Sequence, residues 1–219
     1  MPTSDNELGK ALNLLIHDVR APLGVANGYL RLLKEHRLPS ADEQERALAQ
    51  ALESLGRVSR LCTDASAYLS TVESPAPAEV AVSGPDLARR IGEAVKAAGL
   101  EWIAGGVPVG SVKVTRADIV ASAIATILAT SRRATENTPD LAATSAADDR
   151  TLYLLVGTGA QRAALMADAR QPVDPWRGGH GLALPVACLQ IEHLAGSVWT
   201  ADAARPGIAV ALPVEVPTP

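Results

Sequence analysis

Two long apolar runs, each stepping by three or four residues, constrain this chain more than any other feature of it. The first passes through Leu12, Leu15, Ile16, Val19, Leu23, Ala26, Leu30 and Leu33, and the second through Leu48, Ala51, Leu55, Val58, Cys62, Ala65, Leu69 and Val72. Such steps keep one face of an α-helix apolar over many turns. Between the runs Leu38-Pro39-Ser40 reads as a turn, with Ser40 or Asp42 available to cap the second helix. Two long helices with a short connection form an antiparallel hairpin, whose apolar stripes remain half covered in a single copy. Pairing of two chains into a four-helix bundle, and hence a homodimer, is expected.

The hairpin is expected to occupy residues 1–73. Ser74-Pro75-Ala76-Pro77-Ala78 follows as a linker, because proline removes amide donors and disfavours the helical state of the residue before it. From 79 to 219 the pattern is mixed. Helices are expected near Pro85–Ala98, Arg116–Ala134 and Leu182–Leu194, and strands near Ser111–Val114, Thr151–Val156, Ser197–Thr200 and Ile208–Pro213. Thr135 to Asp149 reads as polar and turn-rich. The fold class is α+β: a long helical hairpin followed by a two-layer α/β sandwich.

Composition narrows the function. The 219 residues are 47% apolar, enough for real cores, yet contain no phenylalanine, so those cores are built from small aliphatic groups. A net charge of −4 and interspersed charges give no basic footprint for nucleic acid. No uncharged apolar stretch reaches membrane-spanning length, and the start MPTSDNELGK lacks the regions of a secretion signal, so a cytoplasmic protein without a membrane partner is expected. Cys62 and Cys188 lie far apart without metal-ligand spacing and read as buried free thiols; no metal site is expected.

The chemistry concentrates on the first helix, in Leu14-Leu15-Ile16-His17-Asp18-Val19-Arg20-Ala21-Pro22-Leu23. A neutral imidazole is a nucleophile near neutral pH, and an adjacent carboxylate, Asp18, can orient the ring and take up its proton. Helical geometry turns His17 toward the edge of the buried stripe, within reach of a docking partner. Pro22 has no amide hydrogen, so the Asp18 carbonyl loses its usual helical partner and the backbone there can distort. An isolated histidine would by default be a boundary residue beside Arg20. The HDxxxPL arrangement on a hairpin resembles the H-box of two-component histidine kinases and histidine phosphotransferases, which implies that His17 is the phosphoacceptor, Asp18 its catalytic partner, and Arg20, Pro22 and Asn27 supports of the site. Asn27 reads equally as a solvated helix residue. Ala21 stands where those kinases carry a Thr or Asn that supports dephosphorylation of the partner.

The C-terminal half resembles the kinase ATPase domain with several ligands replaced. Gly178-Gly179-His180-Gly181-Leu182 is similar to its last glycine box, ahead of a suitable helix, where Gly179 and Gly181 would let amides approach phosphate. Ordinary turn and cap chemistry is the alternative use of that loop. Aligned with the N-box, Thr126 and Thr130 stand in place of asparagines, and Arg133 where a basic phosphate-binding residue falls, though it reads at least as well as a solvated arginine at a helix end. In Leu155-Val156-Gly157-Thr158-Gly159 the glycines Gly157 and Gly159 remain, but Leu155 replaces the aspartate that reads adenine. About a dozen residues follow before the next polar segment, too few for a long lid.

Each unmade buried hydrogen bond forfeits about 1–3 kcal/mol, and a lost metal ligand costs more. The resemblance therefore implies a phosphorelay protein that exchanges a phosphoryl group between His17 and a response-regulator receiver, with the kinase-like domain serving folding, dimer support or docking. Two other readings remain open: an autokinase using ATP and Mg²⁺, and a dimeric scaffold in which His17 never carries phosphate. No cofactor is expected outside the autokinase reading.

Overall fold

The computed structural model describes residues 5–73, 80–114, 116–134, 141–167, 170–176, 181–201 and 207–215. The chain divides into two compact units, Met1–Glu73 with Trp176–Ala183, and Ser74–Pro175 with Leu184–Pro219. The linker 74–78 lies outside the described residues. No helix among the described residues is long and apolar enough to cross a membrane.

The first unit contains α1 (Asp5–Lys34) and α2 (Ala41–Glu73). At the end of α1 the amides of His36 and Arg37 donate back to the carbonyls of Leu33 and Leu32, with His36 at φ 53°, which satisfies the last carbonyls and turns the chain. Ser40 then opens α2 through a reciprocal box: its hydroxyl accepts from the Glu43 amide, and the Glu43 carboxylate accepts from the Ser40 amide, each at 3.2 Å.

The residues buried along the hairpin differ from the run read in the sequence. Ala11, Pro22 and Ala26 of α1 and Ala47, Ala51, Leu61 and Tyr68 of α2 are buried, while Leu12, Ile16, Leu23, Leu30, Leu48, Leu52, Leu55 and Leu69 are exposed. Periodicity merges two adjacent stripes that packing separates. Small side chains let the two helices approach, and the bulky leucines are left on neighbouring faces. Cys62 is likewise exposed, correcting its expected burial, whereas Cys188 is buried.

The second unit carries β1 (Val80–Ser83), α3 (Gly84–Ala97), β2 (Glu101–Ile103), β3 (Ser111–Val114), α4 (Ala117–Ala134), β4 (Ala142–Ala147), β5 (Thr151–Gly157), α5 (Gly159–Ala167), β6 (Gln171–Pro172), α6 (Ala183–His193), β7 (Ser197–Thr200) and β8 (Ile208–Pro213). β1 and β3 form an antiparallel pair, and a six-stranded mixed sheet runs β2-β4-β5-β8-β7-β6 with only β2 and β4 parallel. β4, sequence AATSAA, lies within the stretch read as turn-rich; pairing on both sides, with β2 and β5, makes it a strand despite its weak propensity.

Alternation along β5 and β8 sorts the sheet into two faces. Leu152, Leu154, Val156, Val210 and Leu212 join one core with Leu87 and Ile91 of α3, Ile124 and Leu128 of α4, and Cys188 and Ile191 of α6. Tyr153, Leu155, Ala209 and Ala211 point the other way and pack with Ala164 and Leu165 of α5 and with Trp199. The Trp199 indole N–H donates to the Leu165 carbonyl at 3.1 Å, fixing α5 to this second face. A helix over 159–167 was not anticipated, and it adds a cover to the face that a two-layer sandwich leaves open.

Candidate phosphoacceptor site

On α1 the buried row passes through Ala11, Pro22 and Ala26. At 100° per residue His17 falls roughly 140° from the centre of that row, on the outer surface, while Asp18 falls near its edge. The exposures follow: the His17 side chain is 82% accessible and that of Asp18 13%. Nδ1 of His17 lies 3.0 Å from Oδ1 of Asp18. An ionised carboxylate can only accept, so Nδ1 carries the proton and the lone pair of the neutral ring sits on Nε2, directed away from the acid.

Pro22 is buried inside α1, one turn beyond Asp18, leaving the Asp18 carbonyl without an amide from position 22. Arg20 and Asn27 are exposed, as is Val25, whereas Tyr29 and Leu32 are half-buried. Ala21, Gly24 and Gly28 follow His17 on the same outer face by helical angle. A β-carbon built on Gly24 or Gly28 would meet nothing within 4 Å, so packing within the chain requires neither glycine.

The residues aligned with a nucleotide site are engaged otherwise. The Thr130 hydroxyl donates to the Ile127 carbonyl at 2.7 Å and that of Thr126 to the Ser122 carbonyl at 2.9 Å, so both protons are spent on the α4 backbone. Leu155 packs with α5, on the sheet face opposite α4. Gly157-Thr158-Gly159 forms a helix cap: the Thr158 amide donates to Gln161 Oε1 at 2.8 Å and the Gln161 amide to Thr158 Oγ1 at 3.3 Å. Gly157, at φ 151°, takes a conformation that favours glycine, and Gly159 begins α5. Arg162 closes the strand end by donating to the carbonyls of Gly157 and Ala142. Gly181, at φ 58°, belongs to the helical unit, where its added β-carbon would lie 2.8 Å from Leu61. Gly179 and the side chain of Arg133 lie outside the described residues. The position aligned with the adenine-reading aspartate is thus an apolar side chain packed on α5, and the glycine turn serves as a helix cap. The cap was legible as the Thr-x-x-Gln spacing of Thr158 and Gln161; the Arg162 closure had no local signal.

No protein-family model matches the chain, and no curated protein sequence matches it. Solved structures do. The histidine kinase AdeS of Acinetobacter baumannii is 12% identical with a TM-score of 0.53, over 92% of this chain and 98% of that one. The histidine kinase ThkA, solved in complex with the response regulator protein TrrA, is 14% identical with a TM-score of 0.63 over 94% of this chain. ShkA, solved full-length in complex with AMPPNP, is 17% identical with a TM-score of 0.52, also over 94%. This chain spans 61% of the ThkA chain and 45% of the ShkA chain. Two long helices followed by a mixed sheet with helices constitute the fold of a histidine kinase-like catalytic core, and this chain has it. At these identities the likeness is one of fold.

Proposed function

We propose that the chain is a two-component phosphorelay protein that exchanges a phosphoryl group between His17 and the aspartate of a response-regulator receiver. The observation that carries this reading is the exposed His17 ring with its Nδ1 held 3.0 Å from Asp18. In the forward step the Nε2 lone pair attacks phosphorus of the receiver's aspartyl phosphate. A P–N bond forms as the P–O bond to the aspartate breaks, and the carboxylate leaves with the bonding pair. The ring becomes cationic while Nδ1 keeps its proton, and the Asp18 carboxylate beside it stabilises that charge. The reverse step returns the phosphoryl group to the receiver.

A receiver partner is supported by the fold shared with ThkA, whose structure includes a response regulator. The small residues Ala21, Gly24 and Gly28 beside His17 suit the close approach of a partner. The exposed leucines of α1 and α2 support pairing of two chains into a four-helix bundle, since a monomer rarely leaves so long an apolar stripe in water. The capping role of Gly157-Thr158-Gly159 and the placement of Leu155 favour transfer from a receiver over autophosphorylation from ATP. The second unit then supports folding, the dimer and docking. The test is to supply labelled phosphoryl groups from ATP and from a phosphorylated receiver in separate reactions, using wild type and His17→Ala. The reading requires label from the receiver, dependent on His17; label from ATP alone, or from neither source, rejects it.

A further inference from the structure

The hairpin has two unlike faces. On α1 the exposed Leu12, Ile16, Leu23 and Leu30 all fall to one side of the buried row through Ala11, Pro22 and Ala26, turned from it by about 70° to 115°, and His17 falls to the other side. On α2 the exposed Leu48, Leu55 and Leu69 fall to one side of the buried row through Ala47, Ala51, Leu61 and Tyr68. The exposed Arg57 and Arg60 fall to the other, turned by about 65° and 125°. The helices run antiparallel, so the same sense of rotation, taken along each chain direction, leads to the same face of the pair. One face is therefore leucine, and the opposite face carries His17 together with two arginines.

Register brings the three to one level. Counting back from Lys34 on α1 and forward from Ala41 on α2, at equal rise, sets His17 opposite Val58. The same count sets Glu7 opposite Tyr68, whose phenol is pushed up by burial and then by the charge of Glu7, in agreement with this register. Within one turn of His17, residues 13–21 and 54–62 carry Arg20, Arg57 and Arg60 against a single carboxylate, Asp18, which is already engaged with His17 Nδ1. This local excess of positive charge stands in a chain of net charge −4.

Elsewhere on the hairpin arginine is tied down. Arg31 and Arg37 both pair with Glu35, and Arg46 donates to the Asp42 carbonyl. Arg57 and Arg60 form no ion pair or hydrogen bond among the described residues. Arg60 leans over Gly56, where an added β-carbon would lie 3.8 Å from its Nη1. Its charge acts on Asp64, one turn on, whose carboxyl is pushed up by burial and drawn down by Arg60.

We propose that Arg57 and Arg60 are the contact on α2 that receives the anionic surface around the receiver's aspartyl phosphate, so that the receiver seats across both helices on the face opposite the leucines. This rests on the phosphorelay reading, in which the partner brings its phosphoryl group to His17 as an anion. Arg20, about 60° round α1 from His17, flanks the ring on its other side. Charges at the rim of an interface act mainly on the rate of encounter and its salt dependence, so these arginines select the partner and leave the transfer step to His17 and Asp18.

The test takes a receiver that donates labelled aspartyl phosphate to the wild-type chain and follows transfer against receiver concentration at low and high salt. Wild type should lose kcat/KM as salt rises. Arg57→Glu with Arg60→Glu should lower kcat/KM at low salt by about tenfold or more, through KM with kcat kept, and remove most of the salt dependence. Arg57→Lys with Arg60→Lys should keep that salt dependence, because the charge is kept. Lys96→Glu with Arg150→Glu makes the same change of net charge at exposed positions of the second unit and should have little effect. Should the double glutamate variant lose helical content by circular dichroism, Arg57→Gln with Arg60→Gln, which should also lose the salt dependence, takes its place. Salt-independent transfer in wild type, undiminished transfer in the glutamate variant, an equal loss in the second-unit variant, or a fall in kcat with KM unchanged would overturn the arginine contact and leave the phosphorelay reading standing. A wild-type chain that takes no label from any receiver would instead defeat that reading, and the contact with it.

Discussion

The His17 imidazole stands almost wholly in solvent while the carboxylate that holds its Nδ1, Asp18, is turned toward the hairpin seam, 13% accessible and 3.0 Å away. A sheltered acid beside an open ring fixes the tautomer without obstructing Nε2. Asp18→Ala should therefore slow transfer from a phosphorylated receiver by about tenfold to a hundredfold, the range seen when the group that orients a functional histidine is removed, with the helical content unchanged by circular dichroism. A rate equal to wild type would remove Asp18 from the chemistry.

Gly24 and Gly28 lie in the interior of α1 with open space where a side chain would go. A helical glycine costs about 0.5–1 kcal/mol relative to alanine, so Gly24→Ala and Gly28→Ala should each stabilise the chain by that amount in urea unfolding. If the bare face receives a partner, the same variants slow phosphotransfer while raising stability. Opposite signs for the two measurements separate docking from folding.

The exposed leucine stripe makes oligomeric state measurable. Light scattering of wild type should give twice the 22.7 kDa chain mass. Leu12→Glu with Leu55→Glu places charges on both helices of the stripe, where burial of an unpaired carboxylate is prohibitive, and should yield monomers. A monomeric wild type would contradict the paired bundle.

The Cys188 thiol should be unreactive in the folded chain. Burial, with Glu192 nearby, pushes the Cys188 thiol from 9.0 up to about 12, whereas Cys62 is exposed. Alkylation at pH 8 should leave Cys188 unlabelled until the chain is unfolded. The folded pKa of Cys188 lies above the unfolded value, so its contribution to stability is complete below pH 9 and is lost as pH rises toward 12.

At the end of α6, Ala195 sits at φ 53°, and the Gly196 amide donates to the Ile191 carbonyl at 3.0 Å. A β-carbon on Gly196 would lie 2.6 Å from the Ile191 side chain and 2.7 Å from the Ala211 carbonyl. Gly196→Ala should cost at least about 1–3 kcal/mol in thermal or urea unfolding, as overpacking does, while Ala195→Gly relieves left-handed strain and should be neutral or stabilising.

The hairpin, the turn at Ser40 and the strands over 197–200 and 208–213 were legible because their signals are local: periodicity, a capping box and β-branched runs. The division of the apolar run into an alanine seam and a leucine stripe was not, since residues such as Ala11 and Leu12 differ by one helical step and only packing tells which faces α2. β4 and α5 were hidden for a related reason, one being a strand by virtue of its neighbours and the other a helix held by Trp199 across the sheet. That the His17 ring is open and lies against Asp18 was legible from their adjacency on one helix. The seating of Gly181 on Leu61 depends on residues 120 positions apart, which no local pattern encodes.

The central claim is tested most directly by offering the chain a panel of receivers carrying labelled aspartyl phosphate and following where the label goes. The account predicts transfer from at least one receiver to an acid-labile position on this chain, absent in His17→Ala. Label that stays on every receiver, or that reaches His17→Ala as readily as wild type, would contradict it.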